Sequence, residues 1–265
     1  MENSFGKPSV LSLSTVCKNG LTELDSVYFT APFKIMKPFR QADGGIRVML
    51  QTASAGIMGG DEQQLSVRIG SGSRVEFVSQ AYEKIHRMNG GSAQRQTQIW
   101  VDSGATFLYR PLPVIPFADS AFKSDMTVRL ADGTSRFVLA DILSCGRAAL
   151  GERFSYRLLQ NNVRVFRGAR LIYRDHTRFE PSVLPMEELG FFEGFTHQAN
   201  ILVCGNSTQD GFLTDIRELI DAMPDIEGGV SRTAFGDMSV RMLGRSGQQL
   251  SDCCDRILDL LNIRA

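Results

Sequence analysis

Three carboxylates stand where this chain could do chemistry. Asp61 closes the stretch Thr52-Ala53-Ser54-Ala55-Gly56-Ile57-Met58-Gly59-Gly60-Asp61, in which three glycines allow a sharp corner. Asp141 sits within Leu139-Ala140-Asp141-Ile142-Leu143-Ser144-Cys145-Gly146-Arg147, an apolar strand-like run. An unpaired carboxylate is costly there, so a partner is expected, and Arg147 is the nearest candidate in sequence. Asp175 precedes His176 where a hairpin pattern ends, a position a plain loop explains equally well. Asp61 also has a plain reading, since an Asp after Gly-Gly commonly hydrogen-bonds its own turn. Isolated carboxylates with an occasional His suit a borderline divalent metal held weakly.

Other chemistries have no pattern to carry them. Gly70-Ser71-Gly72-Ser73 lies in a turn between strands, and neither G-x-x-x-x-G-K nor a strand–G-x-G-x-x-G–helix is present. His86, His176 and His197 are scattered and read as ordinary surface or core residues. No G-x-S-x-G elbow marks a serine nucleophile.

The elements that must position these carboxylates are mainly β. An internal repeat runs through four pieces: Ser66-Val67-Arg68-Ile69, Gly72, Arg74-Val75-Glu76-Phe77; Gln98-Ile99-Trp100-Val101, Gly104, Thr106-Phe107-Leu108-Tyr109; Thr127-Val128-Arg129-Leu130, Gly133, Ser135-Arg136-Phe137-Val138; and Asn162-Val163-Arg164-Val165, Gly168, Arg170-Leu171-Ile172-Tyr173. Each reads as a β-hairpin. Glycines 72, 104, 133 and 168 give steps of 32, 29 and 35 residues, unequal enough to argue against a strict solenoid. One hairpin cannot bury its own apolar face, so the expectation is stacked β-hairpins in layered sheets, a β-helix-like body over about 27–185. Residues 1–26 read as irregular with an edge strand near 10–16 and a turn at Asn19-Gly20, and 28–39, with Pro32 and Pro38, reads as an extended segment across the core. Beyond Pro185 the texture changes to a small α+β part over about 199–265. It comprises a strand at 199–204, a helix at 210–223, a hairpin around Gly236-Asp237, and a helix at 246–262. The whole is expected to be one domain with few helices.

At 265 residues with 43% hydrophobic content, a sizeable core is available without disulfides. Formal net charge is zero, so no basic excess exists to neutralise phosphates and nucleic acid is not expected as a partner. Zero net charge also removes the repulsion that keeps copies apart, which predicts poor solubility alone and relief from a partner. Five scattered cysteines, none in C-x-x-C spacing, fit a reduced interior. Residues 1–10 lack the apolar core of a signal peptide, and no apolar run is long enough for a membrane span. A cytoplasmic protein is expected.

The combination of segments says more than any one of them. Phe29-Thr30-Ala31-Pro32-Phe33-Lys34, the Gly59-Gly60-Asp61 corner, Ser79-Gln80-Ala81, Leu112-Pro113-Val114-Ile115-Pro116-Phe117, and Asp141 through Cys145-Gly146-Arg147 follow one another in the order found in the UreD (UreH) family of urease accessory proteins. The resemblance covers about residue 27 onward. It implies a non-enzymatic chaperone for nickel insertion, with a β-rich fold, that joins UreF and the GTPase UreG to the urease apoprotein. The expected assembly is a dimer of heteromers through UreF. Nickel would be in transit, with no tightly bound cofactor, along an internal passage lined by acids that fall on Asp61, Asp141 and, more loosely, Asp175. One position departs: many members have Pro where this chain has Ala55, which loosens the corner before Gly56. Two other readings stay open, a β-rich adaptor whose carboxylates are only structural and a hydrolase with a triad dispersed over loops.

Overall fold

The computed structural model describes residues 7–205 and 210–263. The chain begins with β1 (Ser9–Lys18), β2 (Leu21–Phe29), the short β3 (Phe33–Ile35) and β4 (Phe39–Arg40), and β5 (Ile46–Thr52). The repeat region holds β6 (Glu62–Ile69), β7 (Arg74–Ser79), β8 (Glu83–Ile85), β9 (Ala93–Val101), β10 (Thr106–Arg110), β11 (Val114–Pro116), β12 (Ala121–Leu130), β13 (Arg136–Ser144), β14 (Leu158–Arg167) and β15 (Arg170–Phe179). The C-terminal part is β16 (His197–Cys204), α1 (Asp210–Asp221), β17 (Ile226–Arg232), β18 (Met238–Gly244) and α2 (Gly247–Leu260).

Two sheets face each other. One has the order β15-β14-β12-β9-β6-β1-β2 and the other runs β17-β18-β16-β13-β10-β7-β5-β3. The mainly β, layered architecture is the expected one, but three of the four expected hairpins are not hairpins. β6 pairs in parallel with β9, while β7 pairs in parallel with β10 in the other sheet. The glycine turn between β6 and β7 is therefore an arc from sheet to sheet, with Gly72 at φ 70° and its counterpart Gly104 at φ 68°, a backbone region that glycine enters without a Cβ penalty. A Gly turn between two branched runs does not by itself say whether the strands pair with each other or with their repeats. Here both strands of each unit have an inward apolar row, and facing sheets bury both rows at once. Only the fourth unit, β14 and β15, forms an antiparallel hairpin.

The repeat steps reappear as strand register. Val67 lies beside Ile99, 32 residues on, and Ile99 beside Val128, 29 on. The third step differs, because Val128 lies beside Val165, 37 on. Inward positions stack into rows, and one row is aromatic: Phe107 stacks on Phe137 with ring centroids 6.2 Å apart and meets Phe77 edge-on at 6.4 Å. These rings and residues such as Leu13, Val67, Ile99 and Val128 make the core between the sheets.

The N-terminal strand also departs from expectation. β1 is interior, paired with β2 on one side and in parallel with β6 on the other, so β2 is the edge. The Asn19-Gly20 turn is as expected, with φ 51° and 79° at the two residues. In the proline-bearing segment Phe33 and Ile35 are buried, and β3 pairs with β5.

The C-terminal elements match the expected series, and β16 joins the larger sheet directly through β13. α2 starts where Ser246 accepts a hydrogen bond from the Gln249 N–H at 3.5 Å, an N-cap. Its buried residues Leu250, Cys253, Cys254, Ile257 and Leu258 follow helical spacing. With Ile216 and Ile220 of α1 they cover the outer face of this sheet, against Val138, Ala140, Ile142, Ile201 and Val240. Among the described residues no helix is long and apolar enough to cross a membrane. All five cysteines are free thiols.

The aromatic row predicts a steep local cost. Phe107→Ala should lower unfolding free energy by about 3–5 kcal/mol, read from chemical denaturation. Leu150→Ala, at a residue 70% exposed, should stay within about 0.5 kcal/mol.

Candidate functional site

Strand alternation decides which side chains enter the space between the sheets. On β13, Phe137 and Leu139 face inward into the core, whereas Val138, Ala140 and Ile142 face the helices. Asp141 shares the inward parity. On β16 the same parity takes Leu202 and Cys204 into the core and sets Asn200 directly opposite Asp141. β18 continues the line, with Arg241 opposite Asn200. A polar row thus crosses three strands.

The row meets a carboxylate of the other sheet. Asp175, on β15, accepts an ion-pair hydrogen bond from Arg241 Nη2 at 2.9 Å, and only 17% of its side chain is exposed. Asp175 is therefore within a strand, not at the end of a hairpin where the sequence left it. Asp141 takes a hydrogen bond from Asn200 and feels both Asp175 and Arg241. Its Oδ1 is sealed from solvent and has no hydrogen-bond partner among the described residues. Burial pushes its pKa up to about 6; Asp175 adds to the rise, while Asn200 and Arg241 oppose it.

Arg147 does not pair with Asp141. Its guanidinium binds Glu152, with Nε to Oε2 at 2.8 Å, and lies over the Phe117 ring at 4.1 Å. β13 ends at Ser144 and the chain bends at Gly146, so Arg147 lies outside the strand that carries Asp141, whereas Asn200 sits directly opposite it. The residue across the ladder is nearer than the one further along the chain.

Asp61 is a turn-closer by geometry. Its Oδ2 accepts the Met58 N–H at 2.8 Å. The corner it closes docks on β8: Ile57 donates to the Lys84 carbonyl at 2.8 Å, and His86 donates its N–H to Ile57 O at 2.8 Å. A Cβ on Gly56 would lie 2.4 Å from Lys84 O, so only glycine permits this approach. Ala55, the departure from the family pattern, is held from outside, its carbonyl 3.0 Å from His86 Nε2.

Two cavities follow from this arrangement. One, ≈ 90 Å³, lies between the sheets and is lined by Asp141, Gln198, Asn200, Asn161 and Thr97 among apolar residues. The other, ≈ 200 Å³, lies under the corner, against Ser54, Ala55, Gly56 and Ile57. Glu83, Arg95, Tyr109 and Pro111 line both. The Tyr109 hydroxyl responds to both sides: its pKa is pushed up to about 12 by burial, with Glu83 and Asp141 adding and Arg95 opposing. Asp141 lines the first cavity, Asp175 reaches it electrostatically, and Asp61 lines neither.

The histidines are dispersed. His86 packs edge-on against Phe117 at 4.9 Å, His176 is exposed on β15, and His197 is held by Thr196 at 2.8 Å with burial lowering its pKa. Among the described residues no three His, Cys, Asp or Glu side chains gather as a metal cage. Asn200, Arg241, Glu83, Arg95 and Tyr109 were not singled out from sequence. The signal for Arg95 was present in Ala93-Gln94-Arg95-Gln96-Thr97-Gln98-Ile99, where alternation puts a cation on the same face as Thr97 and Ile99.

The elevated pKa of Asp141 has a definite sign. Between its ordinary value of 3.8 and about 6, the folded chain keeps a proton the unfolded chain has lost. Its contribution to stability is therefore best below this window and declines as pH rises through it. Asp141→Asn should remove that decline, matching the unsubstituted chain below pH 4 and exceeding it by about 1–3 kcal/mol at pH 7–8. Denaturation midpoints across pH check this.

Residues 7–265 match the sequence profile described as UreD urease accessory protein. The urease accessory protein UreD of Acetivibrio thermocellus is 38% identical over 262 residues, covering 98% of this chain and 100% of that protein. The urease accessory protein UreH of Helicobacter pylori strain J99 is 30% identical over 260 residues, covering 98% and 97%. The urease accessory protein UreD of Flavobacterium johnsoniae is 31% identical over 252 residues, covering 93% and 90%.

Proposed function

The chain belongs to the UreD family of urease accessory proteins, and from that membership we propose that it acts in urease maturation as a non-catalytic scaffold. It joins UreF and UreG to the urease apoprotein and gives nickel an internal route. The supporting observation is the inter-sheet cavity, in which one oxygen of Asp141 has no hydrogen-bond partner among the described residues. A buried carboxylate that costs stability and lacks a full set of hydrogen bonds fits a functional use better than a structural one.

The chain's own residues set how nickel would be handled. At pH 7 Asp141, with a pKa near 6, is ionised in about ten chains for each protonated one. It can offer a single carboxylate oxygen, with Asn200 orienting the other. Asp175 lies close enough to add negative charge, and Arg241 offsets part of it. Such a set attracts a dication without enclosing it. A His or Cys cage would bind a borderline metal more firmly and slow its release.

Asp61 enters this route indirectly. By holding the Met58 N–H it keeps the corner that walls the second cavity. A purely structural role for Asp61, as in the adaptor reading, is favoured by that bond. Asp141 carries the nickel proposal and Asp61 shapes one entrance to it. The cytoplasm, where the urease apoprotein is made, is the proposed location.

Pull-down with this chain as bait should recover UreF, UreG and urease subunits. Asp141→Ala should leave that recovery intact while lowering nickel content and activity of urease matured in cells at limiting nickel. Asp61→Ala should act similarly but more weakly. Unchanged nickel content and activity in the Asp61→Ala, Asp141→Ala double variant would falsify the route.

A further inference from the structure

The two cavities meet at an ion pair. Arg95 on β9 projects inward beside Gln63 of β6, its neighbour across the ladder. Gln63 Oε1 accepts from Arg95 Nε at 2.9 Å and from Nη2 at 2.6 Å. Glu83, on β8, accepts from Nη1 at 2.7 Å and also from Nη2. Both carboxylate oxygens of Glu83 are thus taken by one guanidinium, whose Cζ lies 5.6 Å from the Phe122 ring centre. The side chains are 11% and 22% exposed.

This pair occupies the wall that both cavities share. A fixed guanidinium there repels a dication, and its partner carboxylate is not free to compensate. Breaking a largely buried pair by removing one member leaves an uncompensated charge. Replacing the guanidinium by another cation does not. Gln63 offers Arg95 a second anchor, so the guanidinium has somewhere to remain when Glu83 is lost to it. The fork geometry of arginine, with donors for both residues at once, makes that transfer possible.

We infer that Glu83 and Arg95 form an exchange gate: a divalent cation entering the shared wall displaces the guanidinium from Glu83, and Arg95 stays on Gln63 until the cation moves on. The inference rests on the nickel-route reading and adds to it a carboxylate that is closed at rest. Holding Glu83 occupied keeps the route from becoming a storage site.

The test is nickel uptake by the full chain, with NiCl2 as probe, in equilibrium dialysis with metal analysis. Arg95→Met keeps an unbranched apolar stem, removes the guanidinium and leaves Glu83 free; it should bind Ni2+ roughly tenfold tighter or more than the unsubstituted chain. Adding Glu83→Gln to Arg95→Met should abolish the gain. A folded Arg95→Met chain with no gain overturns the gate, as does a gain that survives Glu83→Gln. If Arg95→Met does not fold, Arg95→Lys serves: one ammonium cannot span Gln63 and Glu83 as the fork does, so a smaller gain that again needs Glu83 is expected, and its absence overturns the gate. Failure of the route itself would appear elsewhere, as unchanged urease nickel in the Asp141→Ala variant, so the two outcomes are separable.

Discussion

Alternation along paired strands, repeated in register from coil to coil, is the constraint on which everything else here depends. Once Val67, Ile99 and Val128 are neighbours, every second residue before them on each strand must also face the opposite sheet. Toward the arcs this parity yields Phe77, Phe107 and Phe137 and a dry core. Toward the other end it yields Gln63, Arg95, Thr97, Asp141 and Asn200, and the interior becomes polar. A one-residue slip would turn the core and the polar cavity outward together.

The polar end is a compromise between burial and pairing. Each guanidinium nitrogen of Arg95 has a partner in Gln63 or Glu83. Arg241 and Asp175 satisfy each other from opposite sheets. Asp141 is left with Asn200 and a mixed field, and its pKa rises in consequence. Hydrophobic residues could fill the same volume at lower cost. What they would not provide is a space between the sheets in which a charged species can be met by a carboxylate.

The class of fold was legible because branched and aromatic runs separated by glycine turns have few other uses. Both C-terminal helices were legible for the same kind of reason, a 3.6-residue period ending at Pro224 or beginning at Ser246. Pairing was not. The run Arg74–Phe77 looks the same whether it folds back on Ser66–Ile69 or lies beside Thr106–Tyr109, and only the opposing sheet decides. The costly position of Asp141 could be read from its apolar neighbours, but its partner could not. Arg147 was near in sequence, whereas Asn200 was near only once β16 had joined β13. Asp175 looked like a loop residue because Asp-His interrupts an apolar pattern. In fact the strand runs straight through both residues: His176 lies on its exposed face, whereas Asp175 lies on the other face and is matched there by Arg241 of the opposite sheet.

The junction of β13 with β16 also has a meaning in time. A chain made from its N-terminus can stack β5, β7, β10 and β13 before residues 197–204 exist. Until then β13 is an open edge, with unpaired amides beside an acidic side chain and an apolar outer face that awaits α1 and α2. Exposed edges and uncovered apolar faces are what bring nascent chains together wrongly. The last quarter of the chain is therefore what ends the period of greatest exposure, and any pause in synthesis after β13 would lengthen it.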